Sequence, residues 1–230
     1  MIKARGLLRL IERARAELTG GPIRVGASSN IGVYLLQPHV KSFLSGRASD
    51  SFDLVIDGNP AIRQMLVNGE VEVAVMEWWQ PTEGFIARRW RTEPLVLIVP
   101  PGHALAGRTR VSRDDLAGLE LLGGEPGTGT GRALSAYLGA GAALRVGMRL
   151  GSTEAVKQAV KAGVGVSLVL AAAVAEEVRN KTLCAIPLGD GALAKDLFVA
   201  WGQRSEHISR HQAFVQHLLH DAPAAVRRRR

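Results

Sequence analysis

The 230-residue chain reads as an α/β protein in which two small lobes of sheet and helix enclose a ligand cleft. Three observations lead there. Short β-branched runs alternate with amphipathic runs from Ile23 almost to the C-terminus, the pattern of mainly parallel sheets flanked by helices. There are about nine such strand-like runs, too many for one small sheet. Hydroxyl-bearing turns also stand where strands give way to helices, and α/β proteins take ligands at the loops beyond the carboxyl ends of their strands.

Composition sets the outer bounds. The chain is 47% hydrophobic and 22% charged, enough to bury a substantial core. No charge-free apolar run reaches the ~18 residues of a membrane span. Arg5, Arg9, Glu12 and Arg13 interrupt the apolar residues of the first segment, so it does not read as a secretory signal. The single cysteine, Cys184, excludes an internal disulfide and fits a cytoplasmic protein. The formal charge is +8, and Arg227 to Arg230 supply four of those charges. Such an excess suits polyanions or anionic small ligands, although a solvated basic tail explains much of it. Aromatic residues make up 5% of the chain and do not interleave with the basic ones as in single-strand binders.

In chain order, residues 2–18 form an amphipathic helix with Leu7, Leu8, Ile11, Ala14 and Leu18 on one stripe. The breakers at 19–22 end it. "IRVGAS" is a strand and "IGVYLLQPHVKSFL" is helical, with Pro38 either kinking the helix or marking its first turn. "FDLVID" is a strand. The next helix has Asn59 as N-cap, Pro60 at its first position, Ile62, Met65 and Leu66 inward, and Gly69 at its end. "VEVAVM" is a strand, and "EPLVLIVPPGHAL" ends another in a Pro-Pro-Gly turn. In the second half, "LELL", "ALRVGMRL", "GVSLVL", "LCAIPL" and "KDLFVAWG" are strands. Helices follow "EPGTGT", open at Ser152, and cover "AAAVAEEVRN" and 209–220.

Three segments repeat one device, a strand followed by hydroxyls and a helix: "GASSNIG" at 26–32, "GEPGTGTGR" at 124–132 and "GSTEAV" at 151–156. A helix start offers unpaired N–H groups and a positive dipole end, both suited to an anion. One hydroxyl caps the helix and its neighbour is left to face a ligand; plain N-capping is the bland alternative. "GTGTG" is neither a Walker loop nor a dinucleotide fingerprint, because the required Lys and third Gly are missing. His207 with His211, and His217 with His220, stand at helical spacing. They lack a carboxylate or Cys partner, so surface histidines are expected and no metal site. Cys184 is expected to be buried and inert. Glu77, Glu125 and Glu154 are candidate cleft carboxylates, but no paired acid and base and no Gly-x-Ser-x-Gly elbow is present, so no catalytic residue is assigned.

"IRVGASSNIGVYLLQPHVKSFL", "LVNGEVEVAVME", "LVLIVPPGHALAG", "EPGTGT" and "LGSTEAVKQAVKAGVGVSLV", in this order from about Ile23 to Leu219, resemble the effector-binding domain of LysR-type transcriptional regulators. "EPGTGT" and "GSTEAVKQAV" look closest to regulators of sulfur assimilation and carbon fixation. The resemblance implies a two-lobe, periplasmic-binding-protein-like (type 2) fold without a cofactor. Lobe I would take 23–98 and 196–220, and lobe II 99–195. Residues 1–20 would be a linker and dimerisation helix, and 221–230 a disordered basic tail. The implied effector contacts are Ser28, Ser29, Asn30, Glu77, Glu125, Thr128, Gly129, Thr130, Ser152 and Thr153. The implied function is effector sensing and oligomerisation in a cytoplasmic bacterial regulator, a homodimer or homotetramer that does not bind membranes. Its effector would be a small, anionic metabolite. The family's N-terminal helix-turn-helix has no counterpart in this sequence, so DNA binding is expected only through a domain not present here. The alternative is a free solute-binding protein of a transport system, which shares the fold; an enzyme is not expected.

Overall fold

A computed structural model of the chain describes residues 21–45, 47, 51–117, 119–124, 128–139, 145–189, 193–203 and 210–220. The expected helix at 2–18, the basic tail, Glu125 and His207 lie outside the described residues. The elements in chain order are β1 (Ile23–Ser28), α1 (Ser29–Tyr34), α2 (Gln37–Leu44), β2 (Phe52–Asp57), α3 (Asn59–Val67), β3 (Val73–Met76), β4 (Phe85–Val99), α4 (Arg113–Ala117) and β5 (Glu120–Leu122). They continue as α5 (Gly129–Leu138), β6 (Arg145–Met148), α6 (Thr153–Lys161), β7 (Ser167–Leu170), a 3₁₀ turn (Ala171–Val174), α7 (Ala175–Arg179), β8 (Cys184–Pro187), β9 (Ala194–Gly202) and α8 (Arg210–His220). The described residues fall into two compact units. One runs up to Arg91 and resumes at Leu197; the other is Thr92–Asp196. The chain leaves the first unit within β4 and returns within β9.

In the first unit β1 is the central strand. It pairs in parallel with β2, from Ile23 opposite Phe52 to Ser28 opposite Asp57, and with β3, where Val25 lies opposite Val73. β9 adds antiparallel to β3, with Val73 opposite Trp201. One consequence governs the site: β1, β2 and β3 all end at the same edge. Gly26 lets α3 approach, since a Cβ there would lie 3.0 Å from the Ile62 side chain. That face of the sheet packs Ile62, Leu66, Val71, Ala74, Met76 and Ala200 into one cluster. Phe214 of α8 meets the rings of Phe43 and Phe52 at centroid distances of 5.1 and 5.0 Å.

In the second unit β4 pairs antiparallel with β7, Leu95 opposite Leu170, and with β8, Val96 opposite Pro187. β5 and β6 pair in parallel. The core joins Val96, Ile98 and Val169 of the sheet to Val156 and Val160 of α6 and to Val174 and Leu183. Parallel pairing therefore holds for β1 to β3 and for β5 with β6. The strands paired with the crossing strands, and β9 itself, run antiparallel.

Of the two readings of Pro38 the second holds, and several other local expectations are corrected. The helix breaks at Leu35 and Leu36, and Pro38 sits in the first turn of α2, where its missing N–H costs no hydrogen bond. Asn59 is not the N-cap of α3; Gly58 holds that place without a side-chain cap, and the Asn59 amide is used elsewhere. β4 begins at Phe85, well before the run that marks it in the sequence, because Arg88 and Arg89 on its exposed positions hide the strand pattern. His211 is buried rather than on the surface, and His217 is half-buried, its Nε2 3.1 Å from the His39 carbonyl oxygen. Cys184 is half-buried. Among the described residues no three His, Cys, Asp or Glu side chains are grouped as metal ligands.

Candidate functional site

The common end of β1, β2 and β3 gathers the polar residues of the first unit. Ser28 closes β1 and is only 2% exposed. Residues 26 and 28 share one face of the pleat, so the Ser28 side chain points to the side on which Gly26 meets α3. Its Oγ is buried and makes no hydrogen bond among the described residues. Leaving a buried hydroxyl unsatisfied costs about 1–3 kcal/mol, so such an atom calls for a reason. Ser29 begins α1 and donates from Oγ to the Asp57 carbonyl, 3.1 Å away. Neither serine caps α1.

The neighbouring groups are tied together. Asn30 Nδ2 donates to Glu77 Oε1 at 2.9 Å. Asn59 Oδ1 accepts the Glu77 N–H at 2.8 Å and the Trp78 N–H at 3.4 Å, and Asn59 Nδ2 donates to the Trp78 carbonyl at 3.1 Å. The side-chain amide of Asn59, 5% exposed, thus fixes the backbone just past β3 and sets where the Glu77 carboxylate sits. The sequence reading missed Asn59 as a site residue. Its "DGNP" context resembles a helix cap, and the partners it takes lie 18 and 19 residues away.

The other two hydroxyl turns belong to the second unit. Thr128 caps α5, its Oγ1 accepting the Gly131 N–H at 3.0 Å, and Gly129 and Thr130 follow, half-buried. Ser152 caps α6, its Oγ accepting the Ala155 N–H at 3.1 Å, with half-buried Thr153 beside it. Gly151 turns the chain into that cap with φ of 69°. In the first unit Ser28, Ser29, Asn30 and Glu77 stand at one edge of the sheet, where Asn30 bonds Glu77; the two capped helix starts both belong to the second unit.

Behind the Ser152 turn lies an ion network. The Lys157 side chain is 6% exposed; its Nζ is 2.8 Å from both Glu154 Oε2 and Glu177 Oε1, and Lys161 reaches the same Glu177 oxygen at 3.3 Å. Glu154 is held below the ordinary carboxylate range by hydrogen bonds from Lys157 and Gln158. Burial by itself would raise Glu177, but the hydrogen bonds and charge of Lys157, with Lys161, bring it below that range as well. Glu154 thus pairs with Lys157 through one oxygen and with Gln158 through the other, with its side chain largely exposed.

A family model described as LysR substrate binding domain matches residues 16–223. PtxE of Stutzerimonas stutzeri, a putative HTH-type transcriptional regulator by description, is 50% identical over 131 residues, 56% of this chain and 67% of that protein. The HTH-type transcriptional regulator CbbR of Sinorhizobium medicae is 29% identical over 206 residues, 88% of this chain and 65% of its own. For the RuBisCO operon transcriptional regulator of Allochromatium vinosum the share of that protein is 59%, so the chain spans roughly three-fifths to two-thirds of these relatives. Among solved structures, the effector binding domain of QuiR in complex with shikimate superposes with a TM-score of 0.75 at 16% identity, covering 88% of this chain and 97% of that one. The regulatory domain of Synechocystis PCC6803 CcmR in complex with 2-PG gives 0.74 at 21% identity, covering 87% and 97%. The fold is the two-lobe, periplasmic-binding-protein-like one.

Proposed function

The chain belongs to the LysR substrate-binding domain family, and we propose that it senses a small anionic metabolite for a LysR-type regulator of transcription. Its relatives are transcriptional regulators, not enzymes. QuiR and CcmR were each solved with a small molecule, shikimate and 2-PG. In this reading the candidate effector contacts are Ser28, Ser29, Asn30 and Glu77 in the first unit, with Asn59 as their brace, and Thr128, Gly129, Thr130, Ser152 and Thr153 in the second. Two features favour an anion at the second set. Ser152 accepts its cap bond through its oxygen, which leaves the hydroxyl hydrogen to donate. The amide ends of α5 and α6 add positive potential. No helix among the described residues is long and apolar enough to cross a membrane.

The observation that carries the reading is the buried Ser28 hydroxyl, without a partner among the described residues, at the strand end where a ligand is expected. The test is a thermal-shift and calorimetric screen of small carboxylates and phosphates on the wild type and on Ser28→Ala. The variant is expected to melt at or slightly above the wild-type temperature without ligand, because an unsatisfied group is removed. Its affinity for the tightest metabolite should fall about 10-fold or more, the worth of one hydrogen bond to a charged ligand. A Ser28→Ala protein that binds as the wild type does, or a wild type that none of these anions stabilises, contradicts the proposal.

A further inference from the structure

We infer that Asn59 is a positioning residue for the effector: by occupying the backbone groups of the turn after β3, it keeps the Ser28 hydroxyl free for the ligand. The inference deepens the effector-binding reading above and rests on it. A buried serine hydroxyl ordinarily finds a partner, often a backbone group close by in the fold. Two routes are open to a serine in this place, and Ser28 takes neither. The first is its own helix. Ser28 holds the N-cap place of α1 with the extended backbone of a cap, φ −65° and ψ 148°, yet its side chain makes no cap bond. It points instead to the α3 side of the sheet, as position 26 does two residues earlier.

The second route is the turn after β3. The β1–β3 register pairs Ala27 with Val75, so Ser28 comes level with Met76, one residue short of that turn. Met76 packs on the α3 side as well. Three backbone groups of the turn suit a hydroxyl, which can donate and accept: the N–H of Glu77, the N–H of Trp78 and the Trp78 carbonyl. Asn59 holds all three. Its Oδ1 accepts the two N–H groups at 2.8 and 3.4 Å, and its Nδ2 donates to the carbonyl at 3.1 Å. Asn59 is itself fixed. It is 5% exposed, and one turn further along α3 Ile62 is buried against the sheet. An amide offers an acceptor and a donor on one short group, which is what this turn requires. Asn59→Ala leaves all three backbone groups unserved, and Asn59→Asp keeps the acceptor but leaves the carbonyl without its donor. In either variant the Ser28 hydroxyl gains a partner inside the protein and is lost to the ligand.

The experiment is a double-substitution cycle on the 230-residue chain, read by melting and by calorimetric titration. The probes are small carboxylates and phosphates, with shikimate, glycerol 3-phosphate and inorganic phosphate among them. On the wild-type background Ser28→Ala is expected to leave the melting temperature unchanged or slightly raised. On the Asn59→Ala background the same change should lower it by about 2–4 °C, the shift of one hydrogen bond in a chain of this size. For the tightest probe, Ser28→Ala should weaken binding about 10-fold on the wild-type background, and less than about 2-fold on the Asn59→Ala background. Should Asn59→Ala fail to fold, the cycle is run on Asn59→Asp, where the same pattern is expected. Equal effects of Ser28→Ala on the two backgrounds, in melting or in binding, overturn the inference and leave the effector-binding reading standing. A wild-type chain that binds none of the probes removes the effector-binding reading itself, and this inference with it.

Discussion

Ser28 and Ser152 stand at the same kind of place, the last residue before a helix, and do different work. Ser152 is exposed and accepts the Ala155 N–H, an ordinary N-cap. Ser28 is buried and accepts nothing among the described residues. Replacing each by alanine separates the two roles without any ligand. Ser152→Ala should lower the unfolding free energy by about 1 kcal/mol. Ser28→Ala should lower it by nothing measurable in the same urea titration. An equal loss in both variants would mean that the Ser28 hydroxyl has a structural partner. The doubling of hydroxyls was visible in the sequence at 28–29, 128–130 and 152–153, and so was their place at strand-to-helix turns. The capping hydroxyl was legible at two of the three, where a cap is a contact three residues along the chain. At Ser28 and Asn59 it was not: Ser28 takes no hydrogen-bond partner among the described residues, and the contacts of Asn59 join α3 to the turn after β3, 18 and 19 residues away.

At the scale of elements α6 is the instructive case. Val156 and Val160 give it an inward stripe, Ser152 starts it, and Gly163 with φ of 76° follows its end. All of that is readable locally. The direction of Lys157 is not: it lies beside Val156 on the inward side and is charge-neutralised by Glu177 from α7, twenty positions on. A lysine in an amphipathic run reads as a surface residue until its partner is known. The network yields a pH prediction. Glu154 and Glu177 titrate below their ordinary 4.5 in the folded chain, so they bind fewer protons than in the unfolded chain near and below that pH. Their contribution to stability is present above pH 4.5 and is lost as pH falls through the lowered folded values. Urea titrations at stepped pH should show wild-type stability falling below about pH 4.5. Glu177→Gln should lie about 3 kcal/mol lower at neutral pH, since it strips a buried lysine of its better-buried partner, and its acid limb should be shallower. A variant with wild-type stability and an unchanged acid limb would show that Lys157 is satisfied by Glu154 alone. β4 marks the opposite limit of legibility: its first half, rich in arginine, is a strand because β9 and the sheet core hold it, not because its own pattern alternates.

For the whole molecule, the alternation of strands and helices announced the α/β class, and the number of strands announced two lobes, since a strand count constrains area rather than local geometry. The chain passes between the units after Arg91 inside β4 and after Asp196 inside β9, where the resemblance put the passages after 98 and after 195; both strands are continuous runs with no break in their pattern to mark the boundary. The central claim is that hydroxyl turns at the carboxyl ends of strands bind a small effector. Hydrogen exchange of the chain, with and without the tightest-binding small acid of the carboxylate and phosphate screen, tests it most directly. The account predicts slowed exchange at the amides of residues 28–31 and 77–78 in the first unit and of residues 129–131 and 153–155 in the second, with α8 and β8 unchanged. Slowing absent from all of these turns while the acid is bound would contradict it.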